Sequence, residues 1–162
     1  MTMLPDATLD QARAVLATLE ARSETLATAE SCTGGLIAAA LTAIAGSSSV
    51  VMAGFVTYSN GAKMRMVGVA EATLAAHGAV SAPVAREMAE GALREAGVDI
   101  ALSCTGIAGP GGATPGKPVG LVYIGCARRD ADTVVERHVF AGDRTAVRAQ
   151  TVAAALRLAL PA

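Results

Sequence analysis

The sequence predicts an α/β protein with a mixed sheet covered by helices on both faces, and three observations support this fold class. Predicted strands alternate with predicted helices, which is typical of layered α/β domains. Two consecutive strands near the C-terminus form a hairpin, which makes the sheet mixed. Apolar residues make up 52% of the chain but aromatic residues only 2%, so the core must use small and aliphatic side chains that let helices lie close to a sheet. A length of 162 residues favours one domain.

The first third of the chain is predicted to form a helix, a strand and a second helix. Asp6 is a candidate N-cap of a helix that ends at about Arg22, because apolar residues recur along it at helical spacing. A short buried strand follows at 25–29. The Ala-rich run 36–45 is predicted to be helical and to end at Gly46, since glycine commonly follows a helix C-terminus.

The middle third is predicted to contain a strand and three helices. The β-branched residues of 50–58 indicate a strand. Short helices are expected up to about Val67 and over 71–76. Ser81 is a candidate N-cap, and the proline two residues later suits a first helical turn, so a longer helix is predicted over 82–96.

The last third is predicted to contain three strands and a long helix. These elements are a strand at 100–104, hairpin strands at 119–127 and 133–140, and a helix from Asp143, its candidate N-cap, to about Leu160. The longest glycine- and proline-rich stretch of the chain lies between the first two of these strands.

Three polar loops follow strand ends, at 29–35, 57–63 and 105–112. In sheets of this kind, ligands bind outside the carboxyl ends of the strands. The sequence therefore predicts a single site where the three loops converge.

The first loop offers a nucleophile. Ser31 lies at a strand-to-helix turn, where Gly34 and Gly35 leave backbone N–H groups accessible to an oxyanion or a phosphate. An ordinary helix cap would use the same residue types. Cys32 and Cys104 are rival nucleophiles, although a buried cysteine is more often a small apolar filler.

The second loop offers a base. His77 and His138 both lie outside the polar loops, which leaves Lys63, five residues after Tyr58, as the partner of Ser31 in a Ser–Lys pair. A lysine base must have its pKa lowered by about three units, which burial supplies. Tyr58 could relay the proton or hold the lysine, and the sequence leaves open which of the two takes the serine proton. The alternative is a solvated surface lysine.

Composition excludes several classes of function. The formal net charge is −1, which disfavours nucleic acid and anionic membranes, and no apolar run is long enough to span a bilayer. Three cysteines without metal-ligand spacing predict reduced thiols, no metal and a cytoplasmic location, and the N-terminus does not have the pattern of a signal peptide. The high apolar content predicts a homo-oligomer, a dimer or higher, with 36–45 and 152–160 as the expected buried surfaces.

Several segments together resemble one known family. They are Thr28–Leu36, Ile44–Ser48, Gly54–Asn60 with Lys63, Gly78–Ser81, Thr105–Pro110, Lys117–Gly120 and Gly142–Arg144. In this order, over nearly the full chain, they resemble the CinA C-terminal domain family, the nicotinamide mononucleotide deamidases.

The resemblance implies one amidohydrolase domain over residues 1–162, folded as a three-layer α/β/α sandwich. It also implies hydrolysis of the carboxamide of nicotinamide mononucleotide to nicotinate mononucleotide and ammonia, without a cofactor or metal. The implied catalytic residues are Ser31 as nucleophile, Lys63 as base and Tyr58 assisting. The implied substrate-binding residues are Thr33, Gly34, Gly35, Thr105, Gly106, Gly109 and Arg144. Some members carry a further N-terminal domain, which a chain of this length is not expected to hold.

A non-catalytic nucleotide-sensing module is the alternative hypothesis. It would use the same glycine-rich loops, with Lys63 contacting phosphate. The joint presence of Ser31, Tyr58 and Lys63 favours the enzyme, because a phosphate-binding module needs no hydroxyl nucleophile.

Overall fold

A computed structural model describes residues 3–161 and places five strands and six α-helices along them. The strands are Leu26–Glu30 (β1), Val51–Val56 (β2), Ile100–Gly106 (β3), Leu121–Arg128 (β4) and Ala131–Val139 (β5). The helices are Asp6–Ala21 (α1), Leu36–Thr42 (α2), Asn60–Val67 (α3), Glu71–His77 (α4), Ala82–Ala96 (α5) and Arg144–Ala159 (α6). Met1, Thr2 and Ala162 belong to the predicted domain but lie outside the described residues.

The five strands form one mixed sheet in the order β2-β1-β3-β4-β5. β1 pairs in parallel with both β2 and β3, whereas β4 and β5 run antiparallel as a hairpin. Glu30, the last residue of β1, pairs with Val56 on one side and Cys104 on the other. The carboxyl ends of the three parallel strands therefore meet at one edge of the sheet.

Helices cover both faces of this sheet, so the predicted three-layer α/β/α sandwich is confirmed. α1, α2 and α6 pack with β1, β3 and β4 around a core that includes Leu26, Leu102 and Leu156. On the other face, α3 and α5 pack on β1 and β3 around Met88. A Cβ at Gly91 of α5 would lie 1.8 Å from the carbonyl oxygen of Val67, so the contact between α3 and α5 requires a residue without a side chain.

Two of the three predicted helix caps are confirmed. Ser81 accepts a hydrogen bond from the amide of Val84, and Asp143 accepts one from the amide of Ala146. The prediction of Asp6 as a cap is wrong. The N-cap of α1 is Pro5, whose carbonyl oxygen accepts the first helical hydrogen bonds, and Asp6 is the first residue of the helix.

The structure also corrects the ends of several predicted elements. α2 ends at Thr42 rather than at residue 45, because the amide of Ile44 donates to Leu41, which tightens the chain into a three-residue turn. β3 extends to Gly106, because that residue still pairs with Val122 of β4. β2 is shorter than the predicted strand 50–58, and the hairpin turn consists of Arg129 and Asp130 alone, which is shorter than the gap between the two predicted strands.

Candidate active site

The turn between β1 and α2 holds Ser31 at the edge of the sheet. The amide of Ser31 donates to the carbonyl oxygen of Cys104, and its own carbonyl accepts from the amide of Gly34, each over 3.0 Å. Gly34 and Gly35 have φ angles of +60° and +104°, which residues with a side chain rarely adopt. Ser31 is thus fixed on a tight turn, with 9% of its surface exposed.

Lys63 reaches Ser31 from α3, a helix capped by the hydroxyl of Ser59. Although charged in its ordinary form, this lysine is only 1% exposed. Its Nζ lies 3.1 Å from Ser31 Oγ, 3.0 Å from the carbonyl oxygen of Thr57 and 3.2 Å from that of Tyr58. The fold therefore brings together the serine and the lysine that the sequence singled out.

The contacts of Lys63 suit both of its protonation states. Burial lowers the pKa of Lys63 from its ordinary value of 10.5. A neutral amine has two N–H donors, which the carbonyls of Thr57 and Tyr58 accept, so its lone pair is left for the proton of Ser31. A protonated amine has a third donor for Ser31 Oγ, while the serine hydroxyl donates to the Tyr58 carbonyl over 3.4 Å. This geometry meets the requirement for a general base.

Tyr58 contacts Lys63 through its backbone rather than its phenol. Its side chain is 60% exposed, and its hydroxyl accepts a hydrogen bond from Arg144 Nη2 over 3.2 Å. The same guanidinium donates through Nη1 to the carbonyl oxygen of Gly109 over 2.9 Å. The Tyr58 hydroxyl thus bonds Arg144 and not Lys63, because the side chain turns outward after β2 and meets α6.

A cavity of about 230 Å³ opens at this point. Six of the predicted site residues line it, namely Ser31, Tyr58, Lys63, Thr105, Gly106 and Arg144. Cys32, Ala79, Val80 and Ala108 complete its lining. Thr105 is held at the end of β3, where its hydroxyl donates to the carbonyl oxygen of Ala79 over 2.8 Å. The predicted convergence of three loops is thus observed, with the segment before α5 as a fourth wall.

Four residues expected to contact substrate lie outside this lining. Thr33 is fully buried, and its hydroxyl donates to Glu30 over 2.6 Å rather than facing the cavity. The amide of Gly34 donates to the carbonyl of Ser31, so that N–H is not free for an oxyanion. Gly35 is the N-cap of α2 and lies next to Val56, and the carbonyl oxygen of Gly109 accepts a hydrogen bond from Arg144, which lines the cavity.

The rival thiols are poorly placed for chemistry. A hydrogen bond to Cys104, together with burial, raises the pKa of Cys32, which keeps this thiol protonated and a weak nucleophile. Cys104 is fully buried in the sheet. Cys126 borders a larger cavity of about 590 Å³ between β5 and the end of α6, but burial raises its pKa to about 11. Of the candidate nucleophiles, Ser31 has the base beside it.

Two residues that support the site were missed by sequence reasoning. Glu30 is 1% exposed, and its carboxylate accepts hydrogen bonds from Thr33 Oγ1 and from the amides of Ile37 and Ala38. Arg148 donates from α6 to the carbonyl oxygens of the Ser31 turn. For Arg148, the available signal in the sequence was its spacing of four residues from Arg144, which places both on one helix face.

Both histidines lie away from the cavity, as the sequence indicated. His138 Nε2 is 2.8 Å from Glu136 Oε2 on β5, and its ring stacks on Phe140. His77 ends α4, and its carbonyl oxygen accepts from Lys117.

Residues 3–161 contain neither a metal-binding cluster nor a membrane-spanning helix. No group of three or more His, Cys, Asp and Glu side chains there is arranged to hold a metal ion. Nor does any helix in that range have the length and apolar character needed to cross a membrane.

Fold and site together define a class of α/β/α sandwich proteins in which a serine hydroxyl and a buried lysine face a cavity at the carboxyl ends of parallel strands. Residues 9–161 match the CinA C-terminal domain. The chain belongs to this family.

Named relatives and solved structures agree with this assignment. Over 139 residues the chain is 55% identical to the nicotinamide-nucleotide amidohydrolase PncC of Escherichia coli strain K12, covering 86% of this chain and 84% of that protein. It is 54% identical over 140 residues to a CinA-like protein of Chlorobaculum tepidum, covering 84% of this chain but only 33% of that protein. The crystal structure of the competence/damage inducible protein CihA from Agrobacterium tumefaciens matches with a TM-score of 0.95 and 45% identity, covering 98% of this chain and 96% of that chain.

Proposed function

We propose that this protein is a nicotinamide-nucleotide amidohydrolase. It would hydrolyse the carboxamide of nicotinamide mononucleotide to nicotinate mononucleotide and ammonia, as one domain over residues 1–162. The observation that carries the proposal is the buried Lys63, with Nζ 3.1 Å from Ser31 Oγ. The 55% identity to a protein named for this activity supplies the substrate class.

The proposed reaction proceeds through an acyl-enzyme. Neutral Lys63 takes the proton of Ser31 as Oγ attacks the carboxamide carbon, and the protonated lysine then gives that proton to the departing nitrogen. The C–N bond breaks, ammonia leaves and an ester to Ser31 remains. Water, deprotonated by Lys63, attacks this ester, releases the carboxylate product and restores the serine.

The cavity walls suit the two charges of this substrate. Nicotinamide mononucleotide has a cationic pyridinium ring and an anionic phosphate. The exposed ring of Tyr58 at the rim offers an aromatic face to the cation. Arg144 lines the same cavity and offers a guanidinium to the phosphate. Thr105 and Gly106 also line this cavity.

The test is to incubate the purified protein with nicotinamide mononucleotide and to measure ammonia and nicotinate mononucleotide together. Equimolar release of the two products is expected, with the same rate after exhaustive chelation. Nucleotide binding without any turnover would favour the sensing module instead. A rate that is lost on chelation and restored by one divalent ion would contradict the proposed chemistry.

A further inference from the structure

The guanidinium of Arg148 holds the turn that carries Ser31. Arg148 lies on α6, one helical turn after Arg144, and it is only partly buried. Its Nε donates to the carbonyl oxygen of Cys32 over 3.1 Å, and its Nη2 donates to that of Thr33 over 3.0 Å. One planar guanidinium thus fixes two successive peptide groups just after the serine.

One of these peptide groups links Arg148 directly to Ser31. In a trans peptide the C=O and the following N–H point in opposite directions. The peptide between Thr33 and Gly34 accepts from Arg148 at its oxygen and donates from its nitrogen to the carbonyl of Ser31 over 3.0 Å. The position of the serine backbone therefore depends on where the guanidinium holds this peptide.

The same turn is also fixed through the side chain of Thr33, independently of Arg148. The hydroxyl of Thr33 donates to Glu30 over 2.6 Å, so this residue is held by a carboxylate through its side chain and by a guanidinium through its carbonyl. Lys63, on α3, is anchored separately by the carbonyl oxygens of Thr57 and Tyr58. The alignment of Ser31 with Lys63 therefore depends on two separate sets of contacts, one on the turn that carries Ser31 and one on Lys63 itself.

We propose that Arg148 is a positioning residue for the reaction, which keeps Ser31 Oγ aligned with Lys63 by holding the carbonyls of Cys32 and Thr33. This inference rests on the proposed function for its substrate. Arg148 does not line the cavity, so it acts through the turn and not through contact with substrate.

The kinetic test compares Arg148→Ala with Arg157→Ala, which removes the same charge from the same helix far from the turn. For Arg148→Ala we expect kcat to fall roughly 10- to 100-fold, KM to stay within about twofold because no substrate contact is lost, and the apparent pKa of the pH profile to stay in place. Added guanidinium chloride at millimolar concentration should restore part of kcat, and sodium chloride of equal ionic strength should not. Arg157→Ala should behave as wild type.

Several outcomes would overturn the inference. An unchanged kcat would mean that the turn keeps its shape without Arg148. A raised KM with unchanged kcat would make Arg148 a substrate contact. A fallen kcat with a lower melting temperature and no rescue by guanidinium would indicate a general structural role. Arg148→Lys should recover only part of the activity, because an ammonium lacks the planar fork that reaches both carbonyls.

A second readout separates this inference from the proposed function. Phenylmethanesulfonyl fluoride sulfonylates an activated serine with loss of fluoride, and intact-mass spectrometry measures the rate. If the wild-type protein fails to hydrolyse nicotinamide mononucleotide but is labelled at Ser31, and Arg148→Ala slows that labelling about tenfold or more, the proposed function fails and the positioning role stands. Labelling that misses Ser31, or that Arg148→Ala leaves unchanged, overturns the positioning role.

Discussion

At the residue scale, Lys63 is the side chain on which the proposed chemistry depends. A lysine with 1% exposure loses the hydration that stabilises its ammonium form, so burial favours the neutral amine. Two backbone carbonyls and one hydroxyl replace part of that hydration. The side chain is consequently satisfied in both states, and a proton can move to and from it without leaving an unpaired group.

The pH dependence follows from this lowered pKa. Activity requires the neutral amine in the free enzyme, so kcat/KM should rise with pH and level off above an apparent pKa below 10.5. Lys63→Arg keeps the positive charge but cannot lose its proton, so this variant should bind nucleotide and show almost no turnover. Initial rates across pH and equilibrium binding measure both effects. His77→Ala and His138→Ala are the matched controls and should keep the wild-type profile, whereas an active Lys63→Arg enzyme would rule out proton transfer by this lysine.

The choice of nucleophile can be tested at two adjacent positions. Ser31→Ala should lower kcat by about 10³-fold or more while the melting temperature stays close to that of wild type. Cys32→Ala should keep most of the activity, because the thiol of Cys32 has a raised pKa and stays protonated. Ammonia release measures both variants. The reverse pattern would show that the reaction uses the thiol.

At the element scale, helix α2 begins against a buried carboxylate. Each oxygen of Glu30 accepts one backbone amide of this helix, from Ile37 over 2.8 Å and from Ala38 over 3.0 Å. Amides at a helix N-terminus have no partner within the helix, and their partial positive charge favours an anion. Glu30 therefore fixes α2 and the Ser31 turn relative to β1.

Glu30→Gln tests this interaction. A glutamine amide has one acceptor oxygen, so its NH₂ group must face the donor N–H of either Ile37 or Ala38. The lost charge-assisted bond and the facing donors should lower the free energy of unfolding by about 2 kcal/mol, measured by urea denaturation. Glu71→Gln, at the exposed start of α4, is the matched control and should leave stability nearly unchanged. An equally stable Glu30→Gln variant would mean that the carboxylate does not anchor α2.

Helix α6 connects the three loops of the site through two arginines. Its N-terminus is fixed by the cap at Asp143 and by the buried Val147. From this base, Arg144 reaches Tyr58 and the carbonyl of Gly109, and Arg148 reaches the turn after β1. A helix that packs on the core thus also orders loops that are far apart in the chain.

At the scale of the whole molecule, the order of the strands determines where the site lies. β1 is central among the parallel strands, so the loop after it is flanked by the ends of β2 and β3. The hairpin of β4 and β5 continues the sheet beyond β3. Ser31, Lys63 and Thr105 meet because their three strands end side by side.

Assembly is the property of the whole molecule that remains a prediction. Of the two apolar segments expected to be buried, α6 is buried in the chain's own core, whereas α2 keeps an exposed side. Next to it, the edge strand β2 carries no charged residue and exposes Met52 and Val56 at 48% and 46%. An uncharged edge with unpaired backbone groups is complementary to a second copy of itself.

We therefore expect at least a dimer by light scattering at micromolar concentration. Met52→Lys should shift the mass toward the monomer, because a charge on an edge strand opposes strand pairing between copies. Val134→Lys, on the other edge strand β5, should not. A monomeric wild-type mass would contradict the prediction.

The sequence by itself determined the local structure. Ser81 and Asp143 mark the starts of α5 and α6, and each satisfies a backbone amide three residues along the chain. Strands and helices can be recognised from short-range periodicity, and their alternation along the chain indicated the layered mixed sheet. Gly34 and Gly35 indicated the tight turn that holds Ser31, because their backbone conformation is accessible mainly to glycine.

Only the tertiary structure decided how distant residues meet. Ser31 and Lys63 are 32 positions apart, and Arg148 is 115 positions from Thr33. These pairs depend on strand order and on which helix covers which face, and neither is encoded in a local pattern. Burial of Lys63 and the outward turn of Tyr58 toward Arg144 have the same origin. Each is set by neighbours that other elements supply once the sheet has formed.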